Sequence, residues 1–181
     1  VLVWIYLHLR FRLGARGVEN IPVGGCIVAM NHTGNYDPLI VGLYMPRKMR
    51  IMAKKELFKN RLFTWVLTEL GAFPVKRGAA DVRSLRTSLE IVQNGDIFAI
   101  FIEGTRSRTG RMQIPKKGVG FITSKSRAPV VPTYIYGANS GWRAKAGVVF
   151  GPPMTFDEGD DYEAIAGKIA EAIQKLAKES E

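Results

Sequence analysis

Short apolar segments alternate with amphipathic ones along most of the chain, a pattern typical of α/β proteins. Apolar segments of strand length are predicted at residues 26–30, 50–53, 73–75, 97–102, 130–136 and 148–150. Segments with helical periodicity are predicted at residues 38–44, 57–70, 81–92, 118–126 and 162–177. The nearly continuous apolar run at 97–102 indicates a central strand that is covered on both faces. The sequence therefore predicts a single α/β domain with a largely parallel central sheet flanked by helices.

The ends and inward faces of several predicted helices can also be assigned. Asp37 is predicted to be the N-cap of the helix that begins at Pro38. Gly71 is expected to end the following helix. For the helix at 81–92, the apolar spacing predicts an inward face formed by Val82, Leu85, Leu89 and Val92.

The N-terminal residues 1–13 combine aromatic and leucine side chains with arginines. Arg10 ends the apolar run, whose length is far below the roughly 20 residues that are needed to span a bilayer. This composition is typical of a segment that lies in the headgroup layer. We therefore predict an N-terminal amphipathic, membrane-interface segment at 1–16 and the main domain at 17–181. The alternative is a buried first helix that covers the core, and the absence of an initial methionine is compatible with a longer membrane segment.

The charge of the chain points to an anionic partner. Its 26 Lys and Arg residues against 16 Asp and Glu residues give a net charge of +10. Nucleic acid, an anionic membrane surface and a phosphorylated substrate all fit this charge. The single cysteine, Cys26, excludes a disulfide framework and a cysteine metal cluster, and it fits a reducing compartment such as the cytoplasm.

His32 and Asp37 form the first candidate for chemistry. His32 leaves a predicted buried strand, and Asp37 begins a helix five residues later. A tight loop through Gly34 can return the carboxylate to the imidazole, fix its tautomer and stabilise the imidazolium while the other nitrogen takes a proton. The alternatives are that Asp37 only caps its helix and that His32 is an ordinary hydrogen-bonded loop residue.

A second candidate, residues 103–106, follows the predicted central strand at the edge where ligands of parallel sheets collect. Arg106 can clamp a phosphate with two parallel hydrogen bonds, and Gly104 lets backbone N–H groups approach an anion. Lys76 and Arg77 follow another short strand and are expected to add positive charge at the same edge. For both segments the alternative is a solvated basic surface.

No conventional enzyme nucleophile is found. The serines and threonines near His32 and Glu103 lack an activating context such as a Gly-x-Ser-x-Gly elbow. Cys26 begins an apolar strand, where a cysteine is usually an inert small hydrophobe. A base without an enzyme nucleophile is expected to activate a hydroxyl of the substrate or of water.

Four segments in order resemble the characteristic blocks of the glycerophospholipid acyltransferase family, most closely its bacterial 1-acylglycerol-3-phosphate (lysophosphatidic acid) acyltransferases. The block Asn-His-x-x-x-x-Asp matches Asn31, His32 and Asp37. The blocks Gly-x-x-Phe-Ile-x-Arg and Phe-Pro-Glu-Gly-Thr-Arg-Ser resemble residues 71–77 and 101–107, and a Val-Pro pair in an apolar strand is found at 131–132. The resemblance covers about residues 17–156. The departures are Pro74, Lys76 and Ile102.

The resemblance implies a role for each matching residue. His32 becomes the general base and Asp37 its orienting partner. The residues expected to bind the acceptor or to shape its phosphate site are Lys54, Arg77, Glu103, Gly104, Thr105 and Arg106. The family uses the acceptor hydroxyl as nucleophile against an acyl thioester, so acyl-CoA or an acyl-acyl carrier protein is the expected co-substrate. Neither a metal nor another cofactor nor a covalent intermediate is expected.

The function implied is transfer of a fatty acyl group to the sn-2 hydroxyl of 1-acylglycerol 3-phosphate, giving phosphatidic acid. Such a protein is expected at the cytoplasmic face of the cell membrane, peripheral or monotopic, with an anionic membrane surface as partner. A sibling acyltransferase that uses glycerol 3-phosphate or another lysophospholipid would have the same blocks. A basic lipid- or nucleic-acid-binding module is the non-enzyme alternative. Because no nucleic-acid-binding signature is found, no nucleic-acid partner is predicted.

Overall fold

A computed structural model of the chain describes residues 2–75, 82–107, 109, 111–157 and 159–180. Its helices are α1 (Leu2–Arg10), α2 (Asp37–Tyr44), α3 (Arg61–Glu69), α4 (Val82–Gln93), α5 (Lys117–Ser126) and α6 (Tyr162–Lys178). Its strands are β1 (Phe11–Arg16), β2 (Cys26–Met30), β3 (Met49–Lys54), β4 (Ala72–Val75), β5 (Ile97–Phe101), β6 (Val130–Tyr136) and β7 (Ala144–Phe150). Short 3-10 helices lie at Val18–Asn20 and Lys55–Phe58.

The described strands form one sheet in the order β1-β7-β6-β2-β5-β3-β4. Every neighbouring pair is parallel except β6 and β7, which are antiparallel. Because β1 and β7 run against the other five strands, the carboxyl ends of β6, β2, β5, β3 and β4 meet at one edge. The predicted α/β domain with a largely parallel sheet is confirmed.

Helices cover both faces of the sheet. One core cluster joins the sheet to side chains of α1, α2 and α3, and the other joins it to α4, α5 and α6. In β2, Val28 belongs to the first cluster whereas Ile27 and Ala29 belong to the second, and all three are fully buried. Alternate side chains of a continuously apolar strand are thus buried on opposite faces, as expected for a central parallel strand.

The N-terminal residues form a helix followed by an edge strand. Leu7 and Phe11 are buried in the core, whereas Trp4, Ile5 and Leu9 are exposed. One side of α1 therefore covers the core and the other side faces solvent. Residues 11–16 pair with β7 as part of the sheet. The division between a membrane-interface segment at 1–16 and a main domain at 17–181 stays a prediction.

Two predicted helices differ in detail from the structure. The segment predicted at 57–70 divides into the 3-10 helix at 55–58 and α3, although Gly71 does follow α3 with a φ of +84°. In α4, Val82 is 72% exposed, so its predicted place on the inward face was wrong. Ser84 and Ser88 are buried instead, because small side chains let α4 approach the core closely.

In the described part of the chain, no helix has both the length and the apolar character that a bilayer span requires.

Candidate active site

The two candidate segments meet at the carboxyl edge of the sheet because β2 and β5 are neighbours. The N–H of Ile102 donates to the carbonyl of Met30 over 3.0 Å, which extends the pairing one residue beyond the end of β5. The N–H of Ser107 donates to the carbonyl of His32 over 2.9 Å. The loop that follows β2 is thereby fixed to the loop that follows β5.

The imidazole of His32 contacts the carboxylate of Asp37. His32 Nδ1 lies 2.7 Å from Asp37 Oδ2, and the aspartate side chain is fully buried. The same carboxylate oxygen accepts the N–H groups of Thr33 at 2.6 Å and Gly34 at 2.8 Å. Because a carboxylate accepts and does not donate, it favours the tautomer with hydrogen on Nδ1. His32 Nε2 is then the nitrogen that can take a proton.

The predicted capping role of Asp37 was wrong. Asp37 is the first residue of α2, and the N-cap position belongs to Tyr36, whose side chain makes no capping hydrogen bond. The carboxylate instead accepts hydrogen bonds from the loop that precedes α2. Asp37 therefore holds His32 and does not cap the helix.

The His32 side chain is fixed in two further ways. Its ring stacks on the ring of Phe101, with centroids 3.9 Å apart and planes inclined by 14°. Its backbone N–H donates to Glu103 Oε1 over 2.8 Å. Only 12% of the side chain is exposed, so the imidazole has a defined orientation with a limited opening to solvent.

Glu103 is buried, with 1% of its surface exposed. Its second oxygen, Oε2, accepts the N–H of Gln113 over 2.8 Å. The two carboxylate oxygens therefore join the backbone of the His32 loop to the segment that follows residues 103–107. This geometry lets Glu103 hold the His32 loop in place, while its role in the substrate site stays a prediction.

Arg106 is exposed beside the His32 loop. Its guanidinium donates to the side-chain oxygen of Asn35. Gly104 precedes it with a φ of +69°, a conformation that glycine adopts without strain. Beside Arg106 lies a depression of about 340 Å³, which is lined by the polar residues Thr105, Arg106, Ser107, Thr109 and Gln113. Hydroxyl and guanidinium groups of this kind suit a phosphate.

The structure places Lys54 near these residues and does not describe Arg77. Lys54 ends β3 at the same edge, is exposed, and lines a cavity together with His32 and Arg106. The predicted phosphate ligand Arg77 and its neighbour Lys76 lie outside the described residues.

A cavity of about 1010 Å³ opens beside His32, on the face of the sheet that is covered by α1, α2 and α3. Its walls come from α1, α2, β3 and α3. Most of its lining is apolar: Val3, Trp4, Leu39, Leu43, Met49, Ile51, Leu57, Val66, Leu67, Leu70 and Phe101. His32 and Arg106 are among its polar lining residues. The site thus combines a base, a cation and space for an apolar chain.

The contacts of two asparagines that hold the site were not predicted from the sequence, although Asn31 belongs to the first of the four blocks. The side chain of Asn31 exchanges two hydrogen bonds with the backbone of Ile135, at 2.9 and 2.7 Å, and so ties the end of β2 to β6. Asn139, in the loop after β6, donates to the carbonyl of Thr33. These contacts join residues more than 100 positions apart, and no local spacing in the sequence indicates them.

Helix α1 also reaches the site. The hydroxyls of Tyr6 and Tyr36 lie 2.8 Å apart, and Tyr36 directly precedes Asp37 in the chain. Arg10 donates to the carbonyls of Ser140 at 2.8 Å and Gly141 at 2.5 Å, in the loop that holds Thr33. The N-terminal helix is therefore connected to the His32 loop by two routes.

Cys26 lies away from this edge, at the amino end of β2, and is fully buried. Burial raises the pKa of its thiol above the ordinary value. A buried thiol of this kind is a poor nucleophile.

Comparison with known proteins gives a consistent result. A family model described as Acyltransferase matches residues 12–136. The chain is 31% identical to the 1-acyl-sn-glycerol-3-phosphate acyltransferase of Bacillus subtilis (strain 168), over 98% of this chain and 92% of that protein. It is 30% identical to a chloroplastic protein of that name from Brassica napus, over 74% of this chain and 40% of the other.

A solved structure is also similar. The crystal structure of the 1-acyl-sn-glycerophosphate (LPA) acyltransferase from Thermotoga maritima matches with a TM-score of 0.79 and 26% identity. The match covers 94% of this chain and 73% of the other. The resemblance indicated by the four sequence blocks is confirmed.

Proposed function

Because the chain belongs to the Acyltransferase family and is an O-acyltransferase, we propose that it uses 1-acylglycerol 3-phosphate as acceptor and forms phosphatidic acid. The observation that carries this proposal is the position of the His32–Asp37 pair, at the wall of an apolar cavity that also contains Arg106. A lysolipid with a phosphate and one acyl chain needs a cation and an apolar volume beside the reacting hydroxyl.

The proposed reaction uses His32 Nε2 as general base. It removes the proton of the sn-2 hydroxyl while the hydroxyl oxygen forms a bond to the thioester carbonyl carbon. Asp37 holds the imidazole and stabilises the imidazolium. When the tetrahedral intermediate collapses, the carbon–sulfur bond breaks, and His32 returns its proton to the departing thiolate.

Arg106 is proposed to bind the acceptor phosphate. It borders both the apolar cavity and the polar depression, so a phosphate at its guanidinium can lie outside the cavity while the acyl chain lies inside. Thr105 and Gly104 would shape the phosphate site, Lys54 would contribute a second cation from β3, and Arg77 is proposed as a further phosphate ligand.

The acyl donor is proposed to be a thioester of coenzyme A or of acyl carrier protein, with no cofactor or metal. A sibling reaction on glycerol 3-phosphate is the second candidate, since it would use the same base and phosphate site. The extent of the apolar cavity favours an acceptor that already contains an acyl chain.

We propose that the protein works at an anionic membrane surface, on the cytoplasmic face, with α1 as one contact. Trp4, Ile5 and Leu9 are exposed on α1, and Arg10 and Arg12 follow them. Aromatic and leucine side chains beside arginines are typical of the headgroup layer.

Product analysis tests the proposed reaction. The purified chain is supplied with 1-acylglycerol 3-phosphate, other lysophospholipids or glycerol 3-phosphate, each with acyl-CoA or acyl-acyl carrier protein. Phosphatidic acid is expected as the main product with one or both donors. Preferential acylation of glycerol 3-phosphate would contradict the proposed acceptor, and absence of acyl transfer with every pair would contradict the proposed reaction.

A further inference from the structure

The apolar side chains exposed to solvent are concentrated in one part of the molecule. Among the described residues, 13 large apolar side chains are exposed. Nine of them lie on or directly beside α1, the 3-10 helix at 55–58 and α3: Val3, Trp4, Ile5, Tyr6, Leu9, Leu57, Leu62, Trp65 and Leu70. The other four are dispersed over separate elements. An exposed apolar surface of this extent usually marks an interaction site.

Helix α3 carries its own apolar surface. Leu62 is 71% exposed and Trp65 is 63% exposed, and with the half-buried Val66 they follow the spacing of one helical face. Leu67, on another side of the helix, packs against the core. The exposed face is therefore not required to attach α3 to the sheet.

Basic side chains surround the beginning of α3. Lys55, Lys59 and Arg61 are exposed there, whereas Glu56 and Glu69 are the acidic residues of the segment 55–70. Basic side chains beside an exposed tryptophan and leucine match the chemistry of an anionic bilayer surface, which has anionic headgroups above an apolar layer.

Exposed side chains of α1 and of the segment that contains α3 line the large cavity. Trp4 of α1 lines this cavity and is 52% exposed. Leu57 and Leu70, at either end of the segment that contains α3, line the same cavity and are 44% and 40% exposed. The exposed apolar surfaces of α1 and of the segment that contains α3 therefore both border one cavity where it meets solvent, at its mouth.

We propose that α3 is a second membrane-contact surface, which inserts Leu62 and Trp65 into the headgroup layer of an anionic bilayer. With α1 also at the mouth, a lysolipid can enter the cavity without exposing its acyl chain to water. This inference rests on the proposed lipid acceptor. A bilayer explains the position of both surfaces around the mouth, whereas a protein partner bound to α3 would obstruct the path of the lipid.

Fluorescence quenching tests the position of Trp65. Trp4→Phe and Trp142→Phe leave Trp65 as the single tryptophan. Vesicles of equal parts phosphatidylglycerol and phosphatidylcholine are prepared with ordinary or brominated acyl chains. The brominated lipid is expected to quench Trp65. The matched control carries Val23→Trp, with the three native tryptophans replaced by phenylalanine, and places its reporter near the amino end of β2, where no quenching is expected.

Sedimentation with the same vesicles gives an independent result. Leu62→Ser and Trp65→Ser are each expected to weaken the vesicle partition coefficient about tenfold, since each removes apolar surface from the contact. Val23→Ser, also at a fully exposed valine, should leave it unchanged. Circular dichroism checks that the variants fold.

The proposal is overturned if the bound protein shows no quenching of Trp65, or if both α3 variants bind vesicles as the unmodified chain does. That result, with normal acyl transfer, would assign α3 to a protein partner. Acyl transfer to detergent-dispersed acceptor is measured in parallel. Its absence in the unmodified chain would contradict the proposed function, whereas the quenching would still report on α3.

Discussion

His32 is held by one partner that is close in sequence and by others that are distant. Asp37 follows it by five residues, so their contact could be predicted from the length of the loop and the glycine within it. Phe101 and Glu103 come from β5 and the turn after it, and their contacts depend on the pairing of β2 with β5. The strand order of a sheet is not encoded in local spacing, which explains why these contacts were not predicted.

The first prediction concerns the base. His32→Ala should lower kcat by about 10²-fold or more, because no base remains to remove the proton from the hydroxyl of the lipid acceptor. The fold should persist, since His32 lies in a loop at the sheet edge. His8→Ala is the matched control, because the other histidine lies on α1. Kinetics with detergent-dispersed acceptor measure the effect, and near-normal turnover of a folded His32→Ala protein would contradict the mechanism.

Glu103 allows a sharper test of positioning. Glu103→Gln keeps the shape but places an NH₂ group against a backbone N–H, which leaves buried donors unsatisfied at about 1–3 kcal/mol. We expect a lower Tm and a lower kcat with an unchanged KM for the acceptor, because the substitution disturbs the His32 loop. Glu90→Gln, at an exposed position of α4, is the control. A selective rise in the acceptor KM would instead indicate that Glu103 contacts the substrate.

Arg106 should affect the acceptor more than the donor. Arg106→Ala removes a charge-assisted hydrogen bond worth about 1.5–3 kcal/mol. The activation free energy that corresponds to kcat/KM for the acceptor should rise by that amount, and kcat/KM should fall accordingly. Arg106→Lys should restore part of it, since an ammonium lacks the planar fork. Arg83→Ala, on α4 at the other face of the sheet, is the control. If only the donor kinetics change in steady-state assays, the assignment of the phosphate to Arg106 is wrong.

The helices and strands differ in how far their own residues determine their bounds and their inward faces. The bounds of β2 and β6 were predicted correctly, because both are mainly apolar segments that end at turn residues. Strand β1 was not predicted, although Phe11, Leu13 and Ala15 alternate with Arg12, Gly14 and Arg16, because the segment was assigned to the membrane interface; it pairs with β7. The inward face of α4 was partly mispredicted, because α4 packs closely on the core through Ser84 and Ser88, and Val82 faces solvent.

Helix α6 provides a test of stability at the element scale. Its N-cap is Asp161, whose Oδ2 accepts the N–H of Ala164 over 2.9 Å. Asp161→Ala should lower the free energy of unfolding by about 1 kcal/mol, because this N–H loses its partner. Glu171→Ala, on the exposed side of the same helix, should have a smaller effect. Urea denaturation measures both, and equal effects would show that the cap contributes little.

At the scale of the whole molecule, the sequence predicted the class of fold and the edge that bears the site, but not the shape of the cavity. That cavity is formed by helices α1, α2 and α3, which are distant in the chain and meet only over the sheet. Hydrophobic periodicity indicates which side of each helix avoids water. It does not indicate where two such sides remain separated, and so the space between α1 and α3 could not be predicted.

The net charge of +10 and the exposed face of α1 predict binding to anionic vesicles. Each basic residue near such a surface contributes about 1 kcal/mol, and salt screens this attraction. Deleting the N-terminal residues would test this poorly, because Leu7 and Phe11 are buried in the core and their removal would destabilise the fold. Ile5→Ser with Leu9→Ser changes exposed side chains of α1 that are not among the cavity-lining residues. This variant should bind more weakly and lose more activity on vesicle-embedded acceptor than on detergent-dispersed acceptor. Vesicle sedimentation at low and high salt measures the electrostatic and the apolar contributions to binding. Equal binding by the variant and the unmodified chain would exclude α1 from the contact.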